Sequence, residues 1–88
     1  MGIDGNADHS IVVAEDDPSV RTAVTRVLEL EGYKVIAVND GRAALDTISR
    51  RAPGAVVMDV MMPFADGVTV CRELRHLGVR TPILLLTA

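Results

Sequence analysis

The stretch IVVAEDDPSVR, residues 11–21, joins an apolar run to three consecutive carboxylates and then to a proline. The apolar residues 11–14 do not alternate with polar ones, which is typical of a strand buried on both faces of a sheet. Asp17 and Pro18 suit the N-cap and the first position of a helix. The stretch therefore predicts a strand, a short acidic connection and a helix.

The rest of the chain continues this alternation. Further apolar runs occupy residues 35–38, 55–58 with Val60, and 83–86, and helical patterns occupy about 18–31, 41–51 and 67–77. The order β-α-β-α-β-α-β predicts a parallel α/β sheet with right-handed crossovers. The apolar stripes expected to face inward are Val20, Ala23, Val24, Val27 and Leu28, then Ala44, Leu45 and Ile48, then Val70, Cys71, Leu74 and Leu77.

Composition limits the classes of function. The 88 residues carry a net charge of −3 and fit one small domain, residues 10–88, after a flexible polar leader, residues 1–9. The longest basic cluster is Arg50-Arg51, which argues against nucleic-acid contact by these residues. No apolar run is long enough to span a bilayer. A lone Cys71 excludes an intramolecular disulfide and fits a reducing, cytoplasmic setting.

Polar residues follow the predicted strands at one end. Parallel strands end at one shared edge, and ligands bind there where the strand order reverses. If that reversal falls between the first and third strands, Glu15, Asp16 and Asp59 converge, with Thr87 one strand further along. Carboxylates clustered without a neighbouring Lys or Arg need a cation, and oxygen ligands favour Mg²⁺. A carboxylate beside such an ion can accept a phosphoryl group.

Three motifs in this order and spacing resemble the receiver domains of bacterial two-component response regulators. They are AEDD at residues 14–17, MDVMMPFADG at 58–67 and LLLTA at 84–88. The resemblance implies a flavodoxin-like doubly wound sheet, Mg²⁺ as cofactor and a sensor histidine kinase as partner. Glu15 followed by two Asp residues is most similar to receivers that carry a winged-helix DNA-binding domain, an effector absent from these residues.

The resemblance also implies a role for each matching position. Asp59 is the phosphoacceptor, Asp16 and Asp59 bind Mg²⁺ directly, and Glu15 acts through a bound water. In addition, the Met61 backbone carbonyl is a metal ligand, Thr87 binds the phosphoryl group and shifts on phosphorylation, and Pro63 and Gly67 shape the neighbouring loop. The chain is then a phosphoacceptor that promotes its own phosphorylation and dephosphorylation, not an enzyme acting on separate substrates.

The pattern departs from the family in being incomplete, with four of five strands and three of five helices. The missing fifth strand carries a phosphoryl-binding lysine and a switching aromatic. Tyr33 and Lys34 cannot replace them, because they lie at the start of the second strand, at the opposite edge. We expect a fragment of a longer regulator, with an exposed apolar edge on the fourth strand and an uncovered sheet face. Both features favour association, including a homodimer.

Two other functions stay open. A receiver-derived module without the lysine could act by dimerisation or partner binding alone, independently of phosphorylation. A hydrolase with an aspartyl nucleophile is the other alternative, although such enzymes typically carry a second Asp two residues after the nucleophile, where this chain has Met61.

Overall fold

The computed structural model describes residues 10–87, so the expected leader at residues 1–9 lies outside the described residues. The predicted alternation is confirmed, with bounds that differ by a residue at several ends. The elements are β1 Ser10–Ala14, α1 Pro18–Leu30, β2 Lys34–Val38, α2 Gly41–Arg51, β3 Ala55–Asp59, α3 Gly67–His76 and β4 Ile83–Leu86. Within residues 10–87, no helix combines the length and apolarity needed to cross a bilayer.

The four strands form one parallel sheet in the order β2-β1-β3-β4. The predicted reversal of strand order between β1 and β3 is therefore confirmed. All five residues of β1 are buried, because this strand has a neighbour on each side and helices over both faces. Tyr33 and Lys34 lie at the β2 edge, with β1 and β3 between them and β4.

Each helix begins at an aspartate, as predicted. Asp17 Oδ1 accepts from the Ser19 N–H at 2.9 Å, Asp40 Oδ1 from Ala43 at 2.8 Å, and Asp66 Oδ1 from Thr69 at 2.8 Å. The hydrogen bond from the Thr69 backbone holds the pKa of Asp66 below its usual range. These caps fix where α1, α2 and α3 leave the carboxyl edge of the sheet.

The main core lies between the sheet and the pair α2–α3. It contains Val12, Ala14, Val56 and Met58 from the sheet with Ala44, Ile48, Val70 and Leu74 from the helices. Of the predicted inward stripes, Leu45 and Cys71 are half-buried. Leu77 is 62% exposed, so its assignment to the core was wrong. It caps the end of α3 and lies beyond the helical turns that pack on the sheet.

The other face of the sheet is covered in the described residues by α1 alone, which contacts β1 and β2. None of its residues is fully buried, and Val20 and Val27 are 39% and 60% exposed. The prediction that the whole α1 stripe faces inward was therefore wrong; Val24 and Leu28 are half-buried. Leu84 of β4 is 60% exposed, which agrees with the expected uncovered face.

Candidate metal and phosphoryl site at the carboxyl edge

Three carboxylates meet where β1 and β3 end. Glu15 and Asp16 follow β1 directly, and Asp59 is the last residue of β3. One oxygen atom from each of the three side chains lies within 4.8 Å of the others. Glu15 is buried, Asp59 half-buried and Asp16 exposed, so the cluster opens to solvent on one side. The structure confirms that Glu15, Asp16 and Asp59 converge, as predicted.

The cluster brings three acidic side chains close together. Burial of Glu15, its hydrogen bond with Asp59 and the charge of Asp59 raise the pKa of Glu15 to about 7. The Asp17 N–H donates to Glu15 Oε2 at 3.4 Å and lowers the pKa of Glu15, which opposes part of this rise. A carboxyl group whose pKa is raised toward neutral pH holds a proton with which a divalent cation competes.

These donors fit Mg²⁺. All three ligand groups are hard oxygen donors on adjacent strand ends, and the open side leaves room for water or phosphate oxygens, which Mg²⁺ retains in protein sites. The cleft over the cluster has a volume of about 570 Å³ and is also lined by Asp17, Val20 and Thr87. Thr87 is exposed and lies one strand away from Asp59, as predicted.

The segment between β3 and α3, residues 60–66, is named here the acceptor loop. The Met61 N–H in this loop donates to Asp59 Oδ1 at 3.2 Å. The second carboxylate oxygen of Asp59 takes no part in this hydrogen bond. The loop is closed by the Gly67 N–H, which donates to the Val60 carbonyl at 2.8 Å, and by an internal bond from Ala65 to Pro63, also 2.8 Å. Pro63 and Gly67 therefore supply backbone groups that close this loop, and their role beside the site stays a prediction.

Asp17 lines the cleft but has a structural partner. Its Oδ1 caps α1 through Ser19 and, at 3.4 Å, through Val20. The first turn of α1 therefore holds this carboxylate oxygen away from the three clustered side chains. The interpretation of Asp17 as a helix cap is confirmed, and the candidate ligands remain Glu15, Asp16 and Asp59.

Two residues at the site were missed from the sequence. Arg21 Nη1 donates to the Glu15 backbone carbonyl at 2.8 Å, so a cation does lie beside the strand end, contrary to expectation. Its position one helical turn after Asp17 was the available signal. Gly41, the first residue of α2, lies against Ala65 of the acceptor loop. That contact joins distant parts of the chain, and nothing in the local sequence indicates it.

An open parallel α/β sheet with carboxylates gathered at its reversal point defines a class of proteins whose ligands bind at the carboxyl edge of the sheet. Comparison with known proteins narrows this class. Residues 11–88 match the family of the response regulator receiver domain. The response regulator MprA of Mycolicibacterium vanbaalenii is 53% identical over 78 residues, covering 89% of this chain and 34% of that protein.

Solved structures agree with the sequence relatives. The receiver domain of the Francisella response regulator 1452 matches with a TM-score of 0.88 and 30% identity, covering 92% of this chain and 67% of that one. The response regulator TrrA from Thermotoga maritima, solved in complex with Mg²⁺-BeF, matches with a TM-score of 0.85 and 32% identity. The match covers 90% of this chain and 69% of the TrrA chain.

The chain belongs to the response regulator receiver domain family. It is a signalling domain of the two-component type with the flavodoxin-like fold of that family. It spans about a third of the length of the MprA relatives that it matches.

Proposed function

We propose that this chain accepts a phosphoryl group on Asp59 from a phosphohistidine of a sensor kinase, with Mg²⁺ bound at the three carboxylates. The observation that carries this proposal is the gathering of Glu15, Asp16 and Asp59 within 4.8 Å at the reversal point of the sheet. Asp16 and Asp59 bind the ion directly, Glu15 acts through a water, and the Met61 carbonyl completes the protein ligands.

The chemistry at Asp59 is a substitution at phosphorus. The carboxylate oxygen that does not accept from Met61 attacks the phosphorus atom and forms the new O–P bond. The P–N bond of the phosphohistidine breaks, and the imidazole nitrogen leaves with the electron pair. Bound Mg²⁺ offsets the negative charge of the carboxylates and of the phosphoryl oxygens. Later, a water molecule attacks the same phosphorus atom, the O–P bond to Asp59 breaks with its electron pair on the carboxylate, and inorganic phosphate leaves.

Three other groups orient this reaction. The Met61 N–H fixes the rotation of the Asp59 carboxylate. The Thr87 hydroxyl, which lines the same cleft, donates to a phosphoryl oxygen and moves toward it after transfer. Pro63 and Gly67 hold the acceptor loop closed beside the site. The domain thus promotes its own phosphorylation and dephosphorylation without acting on a separate substrate.

The relatives support a proposal about the partners and the cellular setting of this chain. MprA is named a response regulator and is about three times the matched length, as the 34% coverage shows. We propose that this receiver signals in the cytoplasm to an effector of the winged-helix DNA-binding kind.

The test is the intact mass of the chain after incubation with acetyl phosphate and Mg²⁺. We expect a gain of one phosphoryl group that is lost in Asp59→Asn and without Mg²⁺. Asp46→Asn is the matched control, since Asp46 is an exposed aspartate of α2 remote from the cluster. No gain in the unmodified chain, or an equal gain in Asp59→Asn, would contradict the proposal.

A second candidate function rests on the edge of β4, which pairs with β3 alone among residues 10–87. The ladder to β3 uses the carbonyls of Pro82 and Leu86, so the backbone groups of Ile83 and Leu85 point away from β3. This edge carries no charged residue, and an uncharged, apolar edge favours pairing with another strand. Phosphorylation-independent association, including a homodimer, would use this edge.

Sedimentation of two variants tests this candidate. Leu84→Lys should abolish association, whereas Val27→Lys should not, although both residues are 60% exposed. Association that persists equally in Leu84→Lys would show that the β4 edge is not the surface through which the chain associates. Association that is independent of Mg²⁺ and unchanged in Asp59→Asn would favour this module over the phosphoacceptor. Turnover of a phosphomonoester would instead revive the hydrolase alternative.

A further inference from the structure

The start of α2 touches the acceptor loop with no space between them. Gly41 is buried, and a Cβ atom placed on it would overlap the carbonyl oxygen of Ala65. The same Cβ would lie 2.8 Å from the Ala65 carbonyl carbon and 2.9 Å from the Ala65 Cβ. Two of these atoms belong to backbone, so a side-chain rotation cannot relieve the overlap. Only a residue without a side chain permits this approach.

The helix that carries Gly41 is held firmly at this point. Asp40 accepts from the Ala43 N–H through its side chain at 2.8 Å and from the Ala44 N–H through its carbonyl at 3.0 Å. Ala44 is fully buried in the main core, which prevents the first turn of α2 from moving away. An added Cβ at position 41 would therefore displace the acceptor loop before it displaced the helix.

A displacement of Ala65 reaches the acceptor carboxylate through two connections. The acceptor loop is closed by the bond from Gly67 to Val60, and the Met61 N–H holds Asp59 Oδ1. Gly67 is itself packed against the Asp59 carbonyl, because a Cβ there would come within 2.6 Å of that oxygen. The loop is thus confined between the first residues of α2 and α3, with Asp59 as its base.

We infer that Gly41 is a positioning residue of the acceptor site, because its contact with Ala65 sets the acceptor loop and through Met61 orients Asp59. The expected change in Mg²⁺ affinity rests on the proposed function. The expected change in the position of the acceptor loop does not depend on Mg²⁺. Small errors in the placement of such supporting groups typically lower metal affinity about tenfold or more.

The experiment compares Gly41→Ala with Gly78→Ala in the full chain. Gly78 has a φ of +84° and open space where a Cβ would lie, so alanine there strains the backbone far from the acceptor loop. We measure thermal unfolding, the amide resonances of Met61 and Gly67 in the metal-free protein, and Mg²⁺ affinity by titration of those resonances. Gly41→Ala should move both resonances and weaken Mg²⁺ binding about tenfold. Gly78→Ala should lower stability only.

Two further variants separate positioning from packing. Adding Ala65→Gly to Gly41→Ala removes one of the overlapping atoms and frees the loop backbone, so it should restore part of the Mg²⁺ affinity. If Gly41→Ala does not fold, Ala65→Val crowds the same contact from the loop side and should give the same shifts. Wild-type Met61 resonance and Mg²⁺ affinity in a folded Gly41→Ala would overturn the inference. If the unmodified chain binds no Mg²⁺, the proposed function fails, and the amide resonances alone decide the role of Gly41.

Discussion

Replacing Glu15 with glutamine should stabilise the metal-free protein above neutral pH while weakening its hold on Mg²⁺. In the folded chain, burial and the neighbouring Asp59 raise the pKa of Glu15 from 4.5 to about 7. The folded state therefore binds a proton in a pH range where the unfolded chain has released it. The contribution of protonated Glu15 to the free energy of unfolding is fully present below about pH 4.5 and is lost as the pH rises toward 7.

The size of the effect follows from the shift. A rise from 4.5 to about 7, at about 1.4 kcal/mol per pH unit, sets an upper limit of about 3.5 kcal/mol, which solvent screening on the open side of the cluster reduces. Glutamine mimics the protonated side chain at every pH. Glu15→Gln and the unmodified chain should therefore be equally stable near pH 4.5 and differ by up to about 3 kcal/mol above pH 7.

Urea unfolding followed by far-ultraviolet circular dichroism, in a chelating buffer, measures this difference. Added Mg²⁺ should reverse the order above pH 7, because the ion binds the ionised cluster and stabilises only the folded state. The other titrating groups are common to both proteins and cancel in the comparison. Parallel stability curves for the two proteins from pH 4.5 to above 7 would refute the reasoning, because Glu15 would then not bear the raised pKa.

Two further substitutions test the parts of the structure that support the site. Asp17→Ala should cost about 1 kcal/mol in urea unfolding, because α1 loses the cap on Ser19, yet it should leave Mg²⁺ affinity within about twofold; a large loss of affinity would make Asp17 a ligand. Ile48→Ala should cost about 3 kcal/mol, because the side chain is fully buried, whereas Leu30→Ala, at 80% exposure, should change stability little. Equal losses of stability in Ile48→Ala and Leu30→Ala would contradict the assignment of Ile48 to the core.

The local sequence was most informative where all the residues that determine an element lie within one short stretch. An apolar run, an aspartate cap and a proline are all present in residues 11–21, and the structure has β1, Asp17 as cap and α1 in that order. The acidic cluster was predictable on one condition, that the strand order reverses between the first and third strands, and the observed order β2-β1-β3-β4 meets that condition. The Mg²⁺ and phosphoryl roles of these residues stay predictions.

Predictions that depended on which neighbour covers a surface were less successful. Val27 has the spacing of a core residue but is 60% exposed, because α1 is alone on its face among residues 10–87. Leu77 continues the stripe of α3 but is the C-cap residue of that helix and is exposed. Hydrophobic spacing identifies the apolar side of a helix, whereas burial depends on what packs against that side.

The sequence by itself determined the order of the elements, the helix starts and the residues gathered at the carboxyl edge, since these follow from contacts within a few residues and from the rules of parallel sheets. Only the tertiary structure decided the raised pKa of Glu15, the bond from Arg21 to the Glu15 carbonyl and the contact of Gly41 with Ala65. Those properties depend on distances and burial created when separate elements pack together. The strength of such effects is set by the environment of the folded chain, not by residue type.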